Sequence, residues 1–216
     1  MKRYKRIFVI LPAAALMIFL GCESLNKALN QILTLQQLQF KLQNVEQFKV
    51  SGVDISRYTS FDDFRKAKFS DLSLAQGLNL LNNVSQKKFP VEFVLNVSAR
   101  NPNDGSQGTQ STQISIGSLE WKLYIDDVET INGVVSSPLQ LPGGGKETII
   151  PFRMALDLFK FFENKSYEHI ANLALAIGGS SGSPARLKMN VRPTISTPFG
   201  SYRYPNMITV VDKQFN

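Results

Sequence analysis

Two residue types that carry much covalent and metal chemistry are almost absent from this chain of 216 residues, which holds one cysteine, Cys22, and one histidine, His169. A tetrahedral zinc site draws on several nitrogen and sulfur ligands, so one is nearly excluded. Gly178-Gly179-Ser180-Ser181-Gly182 has the G-x-S-x-G spacing of a nucleophile elbow. That elbow needs a strand before the serine, and a helix and then the histidine after it. Here helical periodicity and His169 precede Ser180 and a strand pattern follows, so a flexible Gly/Ser loop is expected and His169 is read as a helix-surface or partly buried residue. Gly145-Lys146 invites a phosphate-loop reading, but Gln140 stands where the first glycine belongs and Glu147 where a Ser or Thr would hold magnesium, and a hairpin turn explains the segment. Asn101, Asn103 and Asp104 lack the glycine and glutamate offsets of a calcium loop and read as a turn. The adjacent pairs Asp62-Asp63 and Asp126-Asp127 read as a helix first turn and a hairpin turn. No catalytic residue, metal ligand or cofactor is therefore expected.

Cys22 has a context of its own. Lys2, Arg3, Lys5 and Arg6 precede the apolar run Ile7 to Leu20, and a small Gly21 stands directly before the cysteine. A spanning helix needs roughly 20 apolar residues, and this run is shorter and contains Pro12. The pattern has the shape of a signal peptide ending at a lipid-modification site, so removal is favoured over retention as an uncleaved anchor. Phe19-Leu20-Gly21-Cys22 resembles the lipobox of bacterial lipoproteins. The resemblance implies cleavage after Gly21 and acylation of Cys22. At about 0.8 kcal/mol per buried methylene, two or three acyl chains anchor durably where one does not. The expected location is the cell envelope, on a bacterial membrane and preferentially the outer one, with the body in the periplasm or at the cell surface.

Removing residues 1–21 takes four basic residues and no acidic ones from the formal charge of +7, leaving 20 basic against 17 acidic, or +3. The remaining Lys and Arg are scattered, as in Lys87-Lys88 and Arg186-Lys188, without an interleaved aromatic platform. No nucleic-acid partner is expected. No thiol remains for an internal disulfide, so stability must come from one apolar core.

Leu25, Ala28, Leu29, Ile32 and Leu35 recur at helical spacing, so residues 22–37 read as a tether with a short helix. From Leu38 the period changes to two, through Leu38, Phe40 and Leu42 and again at Phe48 and Val50, as two strands or one kinked strand. Ser60 with Asp63 can cap a short helix over Phe61 to Ala67, and Leu74, Leu78 and Leu81 mark another across Leu72 to Asn82. Phe89 to Ala99 is the clearest strand, ending in a turn at Asn101 and a polar loop to about Thr112. Leu119, Trp121, Leu123 and Ile125 alternate with polar residues, then turn at Asp127 into Val128 to Val135 as a hairpin, with Trp121 on the core face. Pro142-Gly143-Gly144-Gly145 turns into a strand through Thr148, Ile150, Phe152 and Met154, which Pro151 places at an edge. Phe159, Phe161 and Phe162 belong to a helical segment, as either a buried cluster or a docking patch, and Ser166 can cap a helix bearing Ile170, Leu173 and Ile177. Leu187 to Val191 and Met207 to Val211 are the last strands, around a turn-rich Pro198 to Pro205 segment. Successive antiparallel strands are the signature of a β-sandwich, here mainly β with helical insertions near 60–82 and 157–177 of a domain over 38–216.

VSARNPN, SLEWKLYIDDVETINGVV and LPGGGKETIIPF, in that order, resemble the late-embryogenesis-abundant type 2 domain, also called the water stress and hypersensitive response domain. The match falls on Asn101 to Asn103, Tyr124, Ile131 to Gly133 and Ile150-Pro151 and is densest over residues 89–156. It implies an antiparallel β-sandwich like fibronectin type III and immunoglobulin domains. It also implies a non-enzymatic binding or protective module linked to desiccation and other stress, and it carries no catalytic residue over. The expected partners are membrane lipid through acylated Cys22 and either an envelope protein or an apolar ligand. A chaperone-like protector or carrier is the alternative, and a hydrolase using Ser180 ranks last. Feeding an alkyne fatty acid to producing cells tests the anchor. Label should enter the parent protein and be absent from Cys22→Ser, and equal labelling of the two would remove the assignment.

Overall fold

Strict alternation of apolar and polar residues makes the strands, and each strand turns its apolar set toward one shared interior. The computed structural model describes residues 29, 37–55, 66, 72–104, 111, 113–178, 185–197 and 199–215. The elements in chain order are β1 (Gln39–Val50), β2 (Val53–Asp54), α1 (Leu74–Ser85), β3 (Pro90–Arg100), β4 (Ile114–Ile125), β5 (Val128–Val135), β6 (Leu139–Leu141), β7 (Glu147–Asp157), α2 (Leu158–Phe161), α3 (Tyr167–Ile177), β8 (Ala185–Thr197), β9 (Gly200–Arg203) and β10 (Ile208–Phe215). The protein is mainly β. One antiparallel sheet has the order β2-β1-β3-β7 and the other β10-β8-β4-β5, with β6 on β4 and β9 on β8. β5 and β6 share one side of β4, while β9 and β10 share the outer side of β8, so each of these edges is a strand in two pieces.

The core lies between the sheets. In β8 every second residue from Ala185 to Ile195 is buried and the residues between are half-buried. Val91, Phe93, Leu95, Val97 and Ala99 of β3 face it with Ile150, Phe152, Met154 and Leu156 of β7, in a ladder without irregularity. Trp121 meets Phe152 edge-on, centroids 6.2 Å apart at 77°. The indole also lies over Gly133, its partner across β5, where a Cβ would come 2.5 Å from Cζ2. Pro193 lies inside β8, and its carbonyl accepts from Tyr204 N at 2.9 Å. Its missing donor faces the same side, where the chain passes from β9 to β10 and no ladder bond is needed.

Strand periods are broken where bulges sit. β4 begins at Ile114, five residues before the expected hairpin, because the bulge at Gly117-Ser118 moves the buried set from Ile114 and Ile116 to Leu119 and Leu123. β1 is one strand with two irregularities, between Leu42 and Asn44 and between Glu46 and Lys49. The expected helix over 72–82 is found at 74–85, and the helix over 61–67 lies outside the described residues apart from Lys66, which is in a turn. β9 occupies part of the segment read as turns, and β6 was not expected at all. Pro142 to Gly145 does not close a hairpin: it carries the chain from β6 in one sheet to β7 in the other. Sequence adjacency suggested a hairpin, but β6 finds its partner in β4 and β7 in β3.

That crossing is stitched to the turn after β3. Gly145 N donates to Asn101 O at 2.8 Å and Gly144 N to Asn103 O at 3.0 Å. Fully buried Asn101 donates from Nδ2 to Leu141 O and accepts from Asn103 N at Oδ1. Gly145 has φ +75°, which favours glycine, and a Cβ there would only displace the flexible Arg100 guanidinium, 2.8 Å away. Asp126 and Asp127 both have positive φ, the two-residue type I′ turn expected between β4 and β5.

The outer face of the second sheet is a lattice of cross-strand pairs. Glu120 of β4 receives Arg192 of β8 at 2.6 Å and Arg203 of β9 at 2.7 Å. Lys122 pairs with Glu129 at 3.0 Å, and Arg186 joins Asp127 and Asp212. The hydrogen bonds from Arg203 and Arg192 hold the Glu120 carboxyl at about 2, below its ordinary 4.5. A carboxylate depressed in the folded state contributes stability above its unfolded pKa and loses it as pH falls toward the folded one. In acid titrations of the unfolding midpoint, the parent should therefore lose stability between pH 4.5 and 2 more steeply than Glu120→Gln, and parallel curves would contradict the assignment. Gly133→Ala should destabilise by about 1–3 kcal/mol in denaturant unfolding through overpacking against Trp121, and an unchanged midpoint would show that the indole yields freely.

Candidate functional site

The open side of the sandwich lies between β1 and β10. β2 covers only Lys49 and Val50 of β1, which leaves the rest of that strand's outer edge unpaired. β10 is likewise an edge, paired only with β8. A cavity of 510 Å³ runs between the two edges, within the usual range for small-molecule sites. Phe40, Leu42 and Val45 line it from β1, and Val210, Val211 and Phe215 from β10. The irregularity after Leu42 brings Val45 onto the same face as Phe40 and Leu42, since a one-residue slip exchanges the faces of a strand.

The end of the cavity is closed by α3, which Ser166 caps through its hydroxyl to His169 N. Seven of its 11 residues are buried, on nearly every face. Such a helix is an internal plug more than a surface element. It ends at Ile177 and Gly178, both lining the cavity, and a Cβ on Gly178 would sit 3.3 Å from the Phe48 ring. Phe48 in turn stacks on Phe93 at 5.3 Å, which fixes that end to the core.

At the rim stand Lys41, Asp212 and Lys213. The Asp212 carboxylate is committed, with both oxygens 2.8 Å from Arg186 nitrogens, and this bond holds its pKa below the carboxylate range. Lys41 and Lys213 are exposed cations. The lining includes no serine, cysteine or histidine. The groove has the chemistry to hold an apolar chain beside positive charge, and no nucleophile paired with a base to transform one.

The residues singled out in the sequence do not meet here. Cys22, Gly21 and Ser180 lie outside the described residues, as does the helix over 25–35 apart from exposed Leu29. Around Ser180 the order is α3 before and β8 after, the reverse of a nucleophile elbow. His169 is exposed on α3. Asn101 and Asn103 are engaged in the stitched turn, and Asp126 accepts from Arg186 N at 2.8 Å. Of the aromatic cluster, Phe162 is buried, while Phe159 and Phe161 are half-buried with Phe159 against Tyr167 at 6.5 Å. One trace of the groove is legible in the sequence: the apolar series 40, 42, 45, 48, 50 breaks period twice, as a bulged edge does.

No protein-family model matches the chain, and no curated protein matches it. Among solved structures, the crystal structure of a protein from Archaeoglobus fulgidus is similar with a TM-score of 0.35 and 17% identity, over 58% of this chain and 84% of that one. The solution structure of a protein from Arabidopsis thaliana is similar with a TM-score of 0.37 and 16% identity, over 60% of this chain and 71% of that one. The solution structure of a late embryogenesis abundant protein is similar with a TM-score of 0.38 and 13% identity, over 96% of this chain and 86% of that one.

Proposed function

We propose that this chain is a non-enzymatic binding module, anchored to a bacterial membrane by lipid on Cys22, that takes the apolar chain of an anionic amphiphile between β1 and β10. The observation that carries the reading is the 510 Å³ groove between two unpaired strand edges, where Phe40, Leu42, Val45, Val210, Val211 and Phe215 share the lining with polar Gln43 and Asn44 and with exposed Lys41 and Lys213. An acyl chain needs no hydrogen bonds and fits the space between Phe40, Leu42, Val45 and Phe215. An acidic head would meet the two lysines. The basic leader, apolar run and Gly21-Cys22 junction support the anchored location, which would set this groove close to a lipid supply.

A long-chain fatty acid carrying a photoreactive diazirine tests the site. Crosslinks should map to β1 and β10. Val45→Trp, which fills the groove, should cut capture at least about tenfold, the equivalent of about 1.4 kcal/mol of affinity. Lys41→Glu with Lys213→Glu should weaken capture of the acid and leave that of the matching alcohol unchanged. Crosslinks spread over other surfaces, or capture indifferent to Val45→Trp, would overturn the reading.

A further inference from the structure

Leu74, Leu78 and Leu81 stand at helical spacing on one face of α1, and they are 82%, 59% and 54% exposed. Ser73 closes a capping box with Gln76, so the helix is well started in its own right. At 100° per residue the side turned to the domain holds Asn79 and half-buried Gln76, Leu80 and Asn83, with Leu80 at about 100–160° from the three leucines, while buried Gly77 flanks them at about 40–100°. Docking is light, with Asn79 Nδ2 reaching Ser51 O at 3.5 Å. An amphipathic helix ordinarily turns its leucines inward. This one turns them outward.

We propose that the leucine face of α1 lies in the surface of an anionic bilayer and seats the domain on the membrane, a proposal that rests on the anchored reading of Cys22. Charge selects the occupant. From Leu72 to Val91 the chain has no carboxylate and two lysines, Lys87 and Lys88, directly after the helix. Lysines beside an apolar helical face match anionic headgroups over an acyl boundary. A second copy docked by the same face would bring no carboxylate from α1 to meet those lysines.

The test reconstitutes the full chain, acylated at Cys22, in phosphatidylethanolamine and phosphatidylglycerol vesicles whose acyl chains carry bromine. The native Trp121 is half-buried against Phe152 and supplies the background. Leu78→Trp should lose about half of its added emission, as expected for a face roughly 5–10 Å into the boundary. Leu81→Trp should behave alike, while Val134→Trp, exposed on β5, should be unquenched. Lys87→Glu with Lys88→Glu, or replacing phosphatidylglycerol by phosphatidylcholine, should reduce the quenching. If the protein withstands a high-salt wash but Leu78→Trp is quenched no more than Val134→Trp, the helix proposal fails and the anchor stands. Release of the protein by the wash overturns both. A Leu78→Trp emission shift that vanishes when the protein is diluted in lipid, without bromine quenching, assigns the face to a second copy and overturns the proposal.

Discussion

The two sheets share no strand ladder, so the molecule depends on the apolar layer between their inner faces. Burying a Leu, Ile, Val, Phe or Met side chain contributes roughly 1.5–3 kcal/mol, and β3, β4, β7 and β8 each send four or more such side chains into the layer. A disulfide has no part in it, because the single cysteine precedes the domain. Everything on the surface is therefore placed by packing. The T-shaped contact of Trp121 with Phe152 joins the sheets directly, and Gly133 leaves the space for the indole that makes it.

Because the chain must pass between sheets, its crossings are points of control. One is held by the reciprocal bonds of Asn101, Asn103, Gly144 and Gly145, and another is filled by α2 and α3. The Asn-Pro-Asn and Gly-Gly-Gly segments thus act on each other: backbone groups that leave one sheet satisfy those that enter the other. Their chemistry is structural, which accounts for amide and glycine residues in place of titratable ones.

Edges are treated differently on the two sides of the sandwich. β7 carries Pro151 opposite Asn96 at its free edge, and its exposed Arg153 and Glu147 discourage further pairing. β1 and β10 keep their edges beside the groove, with Lys41 and Lys213 in its lining. In the proposed reading the protected edge belongs to the scaffold, and the open one takes the ligand. The leucines of α1 form a second apolar surface at the end of β1 where Ser51 lies. In the proposed reading, groove, helix and lipid on Cys22 all address the same phase.

Local chemistry was enough to place most strands. The two-residue period of β3, β5, β7 and β8 holds without regard to partners, because one wet and one dry face impose it wherever a strand is half-buried. The same holds for the Asp126-Asp127 turn, the Ser166 cap and the edge position of Pro151. The basic cluster, the apolar run and the Gly21-Cys22 junction are likewise legible in composition and order alone. Tertiary structure decided what period cannot encode. The bulge at Gly117-Ser118 hid the first part of β4, β6 and β9 are strands only by virtue of β4 and β8, and the Gly-rich turn joins different sheets. The groove exists because two edges distant in sequence are brought face to face and left unpaired. The α1 stripe marks a helix in sequence and is surface in the fold, since periodicity reports that a helix has an apolar face and only packing determines what that face meets.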